Sequence, residues 1–389
     1  MDLVSNTEIV IGQDELTEKL GSGQKLKVKF GVDPTRPDLT FGHLVVFNKL
    51  KQFQDEGHET ILLIGDYTAR IGDPSGRSEL RPELSEDEVN ENASTYLEQA
   101  FRILDEEKTI VRRNSEWFSK LSFADALNLT RKMTVARMLE RDDFHNRFKS
   151  NQPISMVEFM YPLIQGYDSV VLESDVEIGG TDQLFNMLVG RNLQKDLGMD
   201  TQSVLTMPLL VGLDGERKMS KSYDNYIAFN DSSKDIFGKT MSISDEAMPD
   251  YFRLLLGYEN AAIDELKKVH PMEAKKRLAF ELTSKFFNSK IANNEQEEFG
   301  RVFSKGKLPE EMPTFIVKEM NLEKDSILNV LNETNIFGSK GEIRRLIKQG
   351  AVKSDGVSIK DPEDLLSSDD QVSEKVVKVG KKIFVRFMI

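Results

Sequence analysis

No cysteine occurs among the 389 residues. Disulfides, cysteine–zinc sites and a cysteine nucleophile are therefore excluded. No apolar run approaches the roughly 18–20 residues that span a bilayer. The longest candidate core strand, Ile61-Leu62-Leu63-Ile64, has four residues. The first twenty residues carry no basic stretch followed by an apolar one, so no secretory signal is expected and a cytoplasmic location is. Repeats and low-complexity tracts are absent too. What is present is a globular balance, 39% apolar and 30% charged. The length is roughly two to three times that of a usual domain, so more than one core is expected.

The net charge of −13 argues against a general nucleic-acid binder. The charge is uneven, however. Residues 325–389 hold 11 Lys and Arg against 10 Asp and Glu, which leaves −14 on the first 324. Residues 131–150 hold six basic and three acidic side chains. Basic patches on an acidic body suit a polyanion held at a few places; solvated helix faces are the alternative.

Alternating residues 26–33 predict a strand that feeds a Pro-Thr-Arg-Pro turn and a helix over 42–56. A strand at 59–66, a Gly/Pro/Ser-rich loop, a helix at 86–104 and a strand at 109–113 follow. This spacing predicts an α/β fold with a Rossmann-like, doubly wound parallel sheet. A helical stretch at 123–149 breaks the alternation, like an insertion over about 115–152. Then come a helix at 155–167, a strand at 169–180, a helix at 181–197 and a strand at 203–211. Residues 212–226 form a polar, glycine-bearing loop. From 233 to 319 the patterns are mostly helical, and the remainder mixes short helices with two β-rich stretches. Three domains are expected: 1–228, 229–322 and a small α+β module at 325–389.

Five segments carry chemistry. In the first, Asp33-Pro34-Thr35 and Thr40-Phe41-Gly42-His43 join a strand to a helix start. Free N–H groups and the helix dipole make such a start an anion site. Gly42 lets a ligand approach the backbone, and His43 can hydrogen-bond phosphate or ribose. The bland reading is a capping turn with a surface histidine. In the second, Lys218-Met219-Ser220-Lys221-Ser222 sits in the polar loop, about 175 residues after His43. Its lysines and serines can close over a triphosphate; a solvated loop is the alternative. In the third, Tyr161, Gln165 and Asp168 share one helix face beside Pro162, Leu163 and Ile164. Their face points inward, and a buried Asp168 needs a partner, either a ligand hydroxyl or amine or a core tyrosine. The fourth, Gly179-Gly180-Thr181-Asp182-Gln183, again joins strand to helix. Asp182 can take a ribose hydroxyl and Gln183 a carboxyl or amide, unless the segment is an ordinary helix cap. The fifth has Asp73, able to bind an ammonium, with Arg77 and Arg81 beyond it for phosphate, or else a solvated loop.

Taken together, these segments resemble the tyrosyl-tRNA synthetases, a class I aminoacyl-tRNA synthetase family of the bacterial type. Thr40-Phe41-Gly42-His43 resembles the HIGH motif, and residues 218–222 are a complete KMSKS. Residues 138–148 look like the family's inserted connective segment, and residues 339–352 resemble a small RNA-binding module. The resemblance implies activation of tyrosine by ATP and transfer to tRNA(Tyr). It implies Asp73, Tyr161 and Gln165 on the ammonium, Asp168 on the phenol and Gln183 by the carboxylate. Asp33, Gly42, His43, Gly180 and Asp182 would hold the nucleotide. Thr35, Thr40, Lys218, Lys221, Ser222, Arg77 and Arg81 would meet the phosphates. Magnesium would accompany ATP without a protein cage, a homodimer would form near 125–150, and Lys340, Arg344, Arg345 and Lys348 would touch RNA.

Two residues depart from the family pattern. Thr40 stands where HIGH begins with a histidine. Lys29 stands where many bacterial members place a tyrosine at the phenol; pairing with Asp168 and turning to solvent are its two readings. The rivals are a tryptophanyl enzyme of the same fold, a cofactor nucleotidyltransferase and a non-catalytic RNA-binding relative. The Asp168 face and the tail oppose the first, the full KMSKS and the tail the second, and intact His43, Lys218, Lys221 and Asp182 the third.

Overall fold

The computed structural model describes residues 2–74, 84–304, 312–320, 322, 324–366, 374–380 and 383–389. They form two compact units, Met1–Glu295 and Gln296–Ile389.

The first unit is built on six strands: β1 (Ile9–Ile11), β2 (Lys27–Val32), β3 (Glu59–Ile64), β4 (Thr109–Arg113), β5 (Val176–Gly180) and β6 (Ser203–Met207). Their order is β1-β6-β5-β2-β3-β4. All neighbours are parallel except β1, which runs antiparallel to β6. Both faces of the sheet are covered, so β3 and β6 are buried nearly end to end. The chain proceeds outward from β2 through β3 to β4, then restarts at β5 on the other side. The carboxyl ends of β2 and β5 therefore lie at the topological switch point, where such sheets bind ligands.

Helices 229–295 do not form a core of their own. Their apolar faces close over the helix Phe41–Asp55. Phe286 stacks on Phe41 at 5.0 Å and meets Phe229 edge-on at 5.0 Å. Asn48 donates to the Leu254 and Leu255 carbonyls at 3.0 and 3.1 Å. An amphipathic helix takes most of its stability from the surface it covers, and here that surface is the sheet domain. The expected boundary at 228/229 thus separates no cores, and the division between units falls inside the expected helical domain.

Two strand expectations also change. The expected strand at 169–180 is β5 alone, because Ser169–Leu172 complete the helix Met156–Leu172, which Glu173 ends in a left-handed conformation, φ 49°. The β-branched pair Val170-Val171 reads locally as strand, but burial of Leu172 keeps the helical period. The strand expected to 211 stops at Met207, before Pro208.

The second unit packs the helices Ile327–Glu333 and Lys340–Lys348 on five strands: β7 (Thr314–Ile316), β8 (Val352–Ser354), β9 (Val357–Ser358), β10 (Glu374–Val379) and β11 (Ile383–Met388). Ile327, Leu331, Ile343, Ile347, Val377, Val385 and Phe387 are among its core residues. Asp355 and Gly356 both have positive φ, 47° and 86°, which the tight β8–β9 hairpin requires.

Because one core joins sheet and helices in the first unit, Phe41→Ala should lower its stability by about 3–5 kcal/mol. Denaturant unfolding of the first unit, followed by Trp117 fluorescence and by hydrogen exchange in the 229–295 helices, should still give one coincident transition. Separate melting of the 229–295 helices would contradict the shared core.

Candidate active site

One cavity of about 490 Å³ opens at the carboxyl ends of β2, β3, β5 and β6. It is lined by Asp33, Thr35, Thr40, Gly42, His43, Asp73, Tyr161, Gln165, Asp168, Gly180, Asp182, Gln183, Lys218, Lys221 and Ser222, the residues that four of the segments and part of the fifth supply. Arg77 and Arg81 lie outside the described residues.

At one end the helix Met156–Leu172 presents Tyr161, Gln165 and Asp168. Asp168 is 2% exposed. Its carboxylate accepts from the Trp117 indole N–H at 3.0 Å and from the Asn114 amide at 3.4 Å. Burial pushes its pKa up to about 8, against the pull of the Lys29 ammonium and these two donors. Lys29 does neither of the things expected of it. It is 1% exposed and faces Glu177 across the β2–β5 register, with Nζ 2.9 Å from Oε1. It also donates to the Ser169 hydroxyl at 2.8 Å, and Glu177 accepts from Ser169 and Gln202. A buried charge needs a partner and satisfied hydrogen bonds, and the neighbouring strand supplies the partner.

Gln165, Gln183 and Asp73 meet through an asparagine that the sequence does not single out. Asn186 donates to Gln165 Oε1 at 2.9 Å and to Gln183 Oε1 at 3.1 Å. Gln183 donates to Asp73 at 2.9 Å. Arg141, from the insertion, donates to Asn186 at 3.0 Å and lies 3.6 Å from Asp73. Asp33 ties the halves together, accepting from the Tyr161 hydroxyl at 2.8 Å and the Thr68 hydroxyl at 2.7 Å. Gly65 makes that approach possible, since a Cβ there would stand 2.1 Å from Asp33 Oδ1.

At the other end the helix Phe41–Asp55 begins with Thr40 as N-cap. The Thr40 N–H donates to His43 Nδ1 at 3.1 Å, and its hydroxyl oxygen lies 2.9 Å from the same nitrogen. Nδ1 is therefore an acceptor, which assigns the proton of the neutral ring to Nε2. Burial, then the nearby Lys221 ammonium, push the His43 pKa down to about 3, so the ring is neutral at pH 7. Thr40, 1% exposed, spends its hydroxyl on this capping box.

The 212–226 loop closes over this end. Asn225, 3% exposed, accepts from the Ser220 N–H at 2.8 Å and donates to the Lys218 carbonyl at 3.1 Å and to Asp214 at 2.9 Å. Lys218 pairs with Asp182 at 2.6 Å. Gly180 leaves room for that carboxylate, since a Cβ would stand 2.7 Å from Asp182 Oδ1. Lys221 donates to the Asp38 carbonyl at 2.7 Å and to the Tyr96 hydroxyl at 2.5 Å. The cavity thus joins a carboxylate- and amide-lined recess to a region of two lysines, a neutral imidazole and a helix N-terminus. A small zwitterion fits the first and a nucleotide the second.

Sequence reasoning missed Asn114, Trp117, Arg141 and Asn186. Trp117 is the only tryptophan in the chain, and its rarity is the one local mark that any of the four carries.

The family model for class I tRNA synthetases of the W and Y type matches residues 22–304, and that for the S4 domain matches residues 327–372. A tyrosine–tRNA ligase of Thermotoga maritima is 50% identical over 99% of this chain and 96% of its own. One from Oleidesulfovibrio alaskensis is 49% identical over 97% and 96%. Among solved structures, the tyrosyl-tRNA synthetase of Archaeoglobus fulgidus complexed with L-tyrosine covers 76% of this chain and 97% of its own. It has a TM-score of 0.62 and 24% identity, a likeness of fold. With the matched model spanning most of the cavity-bearing unit and relatives at about half identity over nearly the full chain, the chain belongs to the tyrosine–tRNA ligase family of class I tRNA synthetases.

Proposed function

We propose that the chain activates L-tyrosine with ATP, giving tyrosyl-adenylate and pyrophosphate, and then transfers tyrosine to the 3′-terminal adenosine of tRNA(Tyr). The observation that carries this reading is the convergence of the Asp168 recess and the Lys218–Ser222 loop on one cavity. Asp73, Tyr161 and Gln165 hold the ammonium, Asp168 accepts from the phenol, and Gln183 lies by the carboxylate. Asp33, Gly42, His43, Gly180 and Asp182 hold the nucleotide, and Thr35, Lys218, Lys221 and Ser222 meet the departing phosphates.

The tyrosine carboxylate attacks the α-phosphorus; that P–O bond forms as the bond to the β-phosphate oxygen breaks. The nucleophile is already ionised, so no general base is required. Catalysis rests on positioning and on positive charge at the phosphates. Neutral His43 serves through its Nε2–H donor, and Thr40 serves by fixing that tautomer. Asp182 serves twice: it pairs with Lys218 and is placed to take the ribose of ATP. Magnesium enters as the counter-ion of ATP.

Transfer to tRNA uses the second unit. Lys340, Arg344, Arg345 and Lys348 lie along one exposed helix. A homodimer, with the insertion at its interface, is favoured by Phe123, Val135, Phe148 and Met156, which are 58–80% exposed. Among the described residues no helix is long and apolar enough to cross a membrane, and the cytoplasm is the proposed location.

ATP–pyrophosphate exchange should respond to tyrosine and reject phenylalanine by about 10⁴–10⁵-fold, because Asp168 is left without its partner. The pH dependence has a definite sign. Asp168 keeps its proton below about 8 in the free protein, and the ionised form is the better acceptor from a phenol. The kcat/KM for tyrosine should therefore rise as pH approaches 8, and Asp168→Asn should flatten the rise. Equal exchange with both amino acids would overturn the role of Asp168.

Arg344→Glu with Arg345→Glu should leave exchange intact and weaken tRNA charging, with a shallower salt dependence of what remains. Unimpaired charging at moderate salt would remove the module from RNA recognition. Thr40→Val keeps the N–H that holds His43 and deletes the hydroxyl. It should cost about 1 kcal/mol of stability as a lost cap while turnover of the folded protein stays near wild type. A large turnover loss at unchanged melting temperature would instead give Thr40 a direct phosphate contact.

A further inference from the structure

Tyr96 has no role among the residues considered so far. It lies on the helix Glu86–Ala100, 1% exposed, with its ring in the main core cluster, and it lines the cavity. Its hydroxyl accepts from Lys221 Nζ at 2.5 Å. The ammonium lies beyond that oxygen, 5.0 Å from the ring centroid, so a charge-assisted hydrogen bond is what holds the cation.

The surroundings make this an anchored support. Three other side chains of the helix grip the turn that follows β2. Asn92 donates to the Pro34 carbonyl at 3.0 Å. Thr95 and Gln99 both donate to the Pro37 carbonyl at 2.8 Å. The Leu39 N–H donates to Gln99 at 2.8 Å. Asp38, whose carbonyl is the other acceptor of Lys221, belongs to that same turn, and so does Thr35. The frame that fixes the anion-binding turn therefore also fixes the lysine. The loop backbone is secured separately, by Asn225 on Ser220 and Lys218.

A free lysine loses rotamer entropy when it is fixed. A site that fixes it beforehand does not lose that entropy in the transition state. We propose that Tyr96 is a positioning residue for adenylate formation: its hydroxyl docks the Lys221 ammonium against the 33–38 turn, where the leaving pyrophosphate passes. The inference rests on the reading of Lys221 as a phosphate-binding lysine. Tyr96 acts through Lys221 and contacts no reacting atom.

Tyr96→Phe deletes the hydroxyl and keeps the buried ring. In ATP–pyrophosphate exchange its kcat should fall roughly tenfold, within the range for one hydrogen bond to a charged group. The KM for tyrosine should stay within about twofold and the melting temperature should hold. The decisive measurement is the double-mutant cycle with Lys221→Ala. If Tyr96 works through Lys221, Tyr96→Phe should cost nothing further in the Lys221→Ala background. Wild-type kcat in Tyr96→Phe, or a loss that simply multiplies that of Lys221→Ala, overturns the role of Tyr96 while the loop reading stands. Wild-type turnover in Lys221→Ala overturns the loop reading, and this inference with it. A fall in melting temperature that accounts for the whole loss of activity reduces Tyr96 to a core residue.

Discussion

The recess at the switch point depends on holding negative charge where water has been excluded. Asp168 is the extreme case, a carboxylate with 2% exposure. Left alone it would take up a proton, and burial does push its pKa to about 8. Two donors from the segment after β4, and a lysine from β2, oppose that tendency. The lysine is itself buried and requires Glu177 from β5, which in turn requires Ser169 and Gln202. Burying this one carboxyl group thus commits side chains from β2, β5, the helix Met156–Leu172 and two loops. Each strand position in that chain is fixed by parallel register, which is why the site sits where the two halves of the sheet diverge.

The phosphate end follows a different economy. There the charges are positive and partly exposed, and each is held by a protein acceptor: Lys218 by Asp182, Lys221 by Asp38 and Tyr96. The Lys218–Asp182 pair is 30% and 27% exposed, whereas the Lys29–Glu177 pair is 1% and 3% exposed. Lys221 stands between the two cases, because one of its acceptors, Tyr96, is itself 1% exposed. One end is thus preorganised by buried charge pairs and the other by contacts nearer to water.

How much of this was legible before folding depends on how local each signal was. The strand-to-helix junctions at 33–43 and 179–183 are local, and the structure brings both to the cavity. The Tyr161, Gln165 and Asp168 face follows from helical period alone, and all three residues line that cavity. What the sequence hid was assembled by crossover. Lys29 and Glu177 are 148 residues apart and meet only because β2 pairs with β5. Lys29 offered two readings because its true partner has no mark in the chain. Asn186 and Arg141 look like ordinary helix and insertion residues until Gln165 and Asp73 are beside them. The same holds for the helices after 228: their periodicity is local, but nothing in it tells that their apolar faces meet Phe41 and Phe47 as well as one another.

Thr40 and His43 show how a helix start can stay ordered while a motif side chain changes. A histidine at position 40 would be a donor in its own right. A threonine there cannot reach as far, but it can cap the helix and, with its own N–H, hold His43 Nδ1 as an acceptor. The proton is then fixed on Nε2, and burial with the nearby Lys221 keeps the ring neutral. A neutral donor at a helix N-terminus adds a directed hydrogen bond to the positive field that the dipole and the lysines already supply. At position 40 one threonine thus both caps the helix and fixes the tautomer of His43 on the same turn.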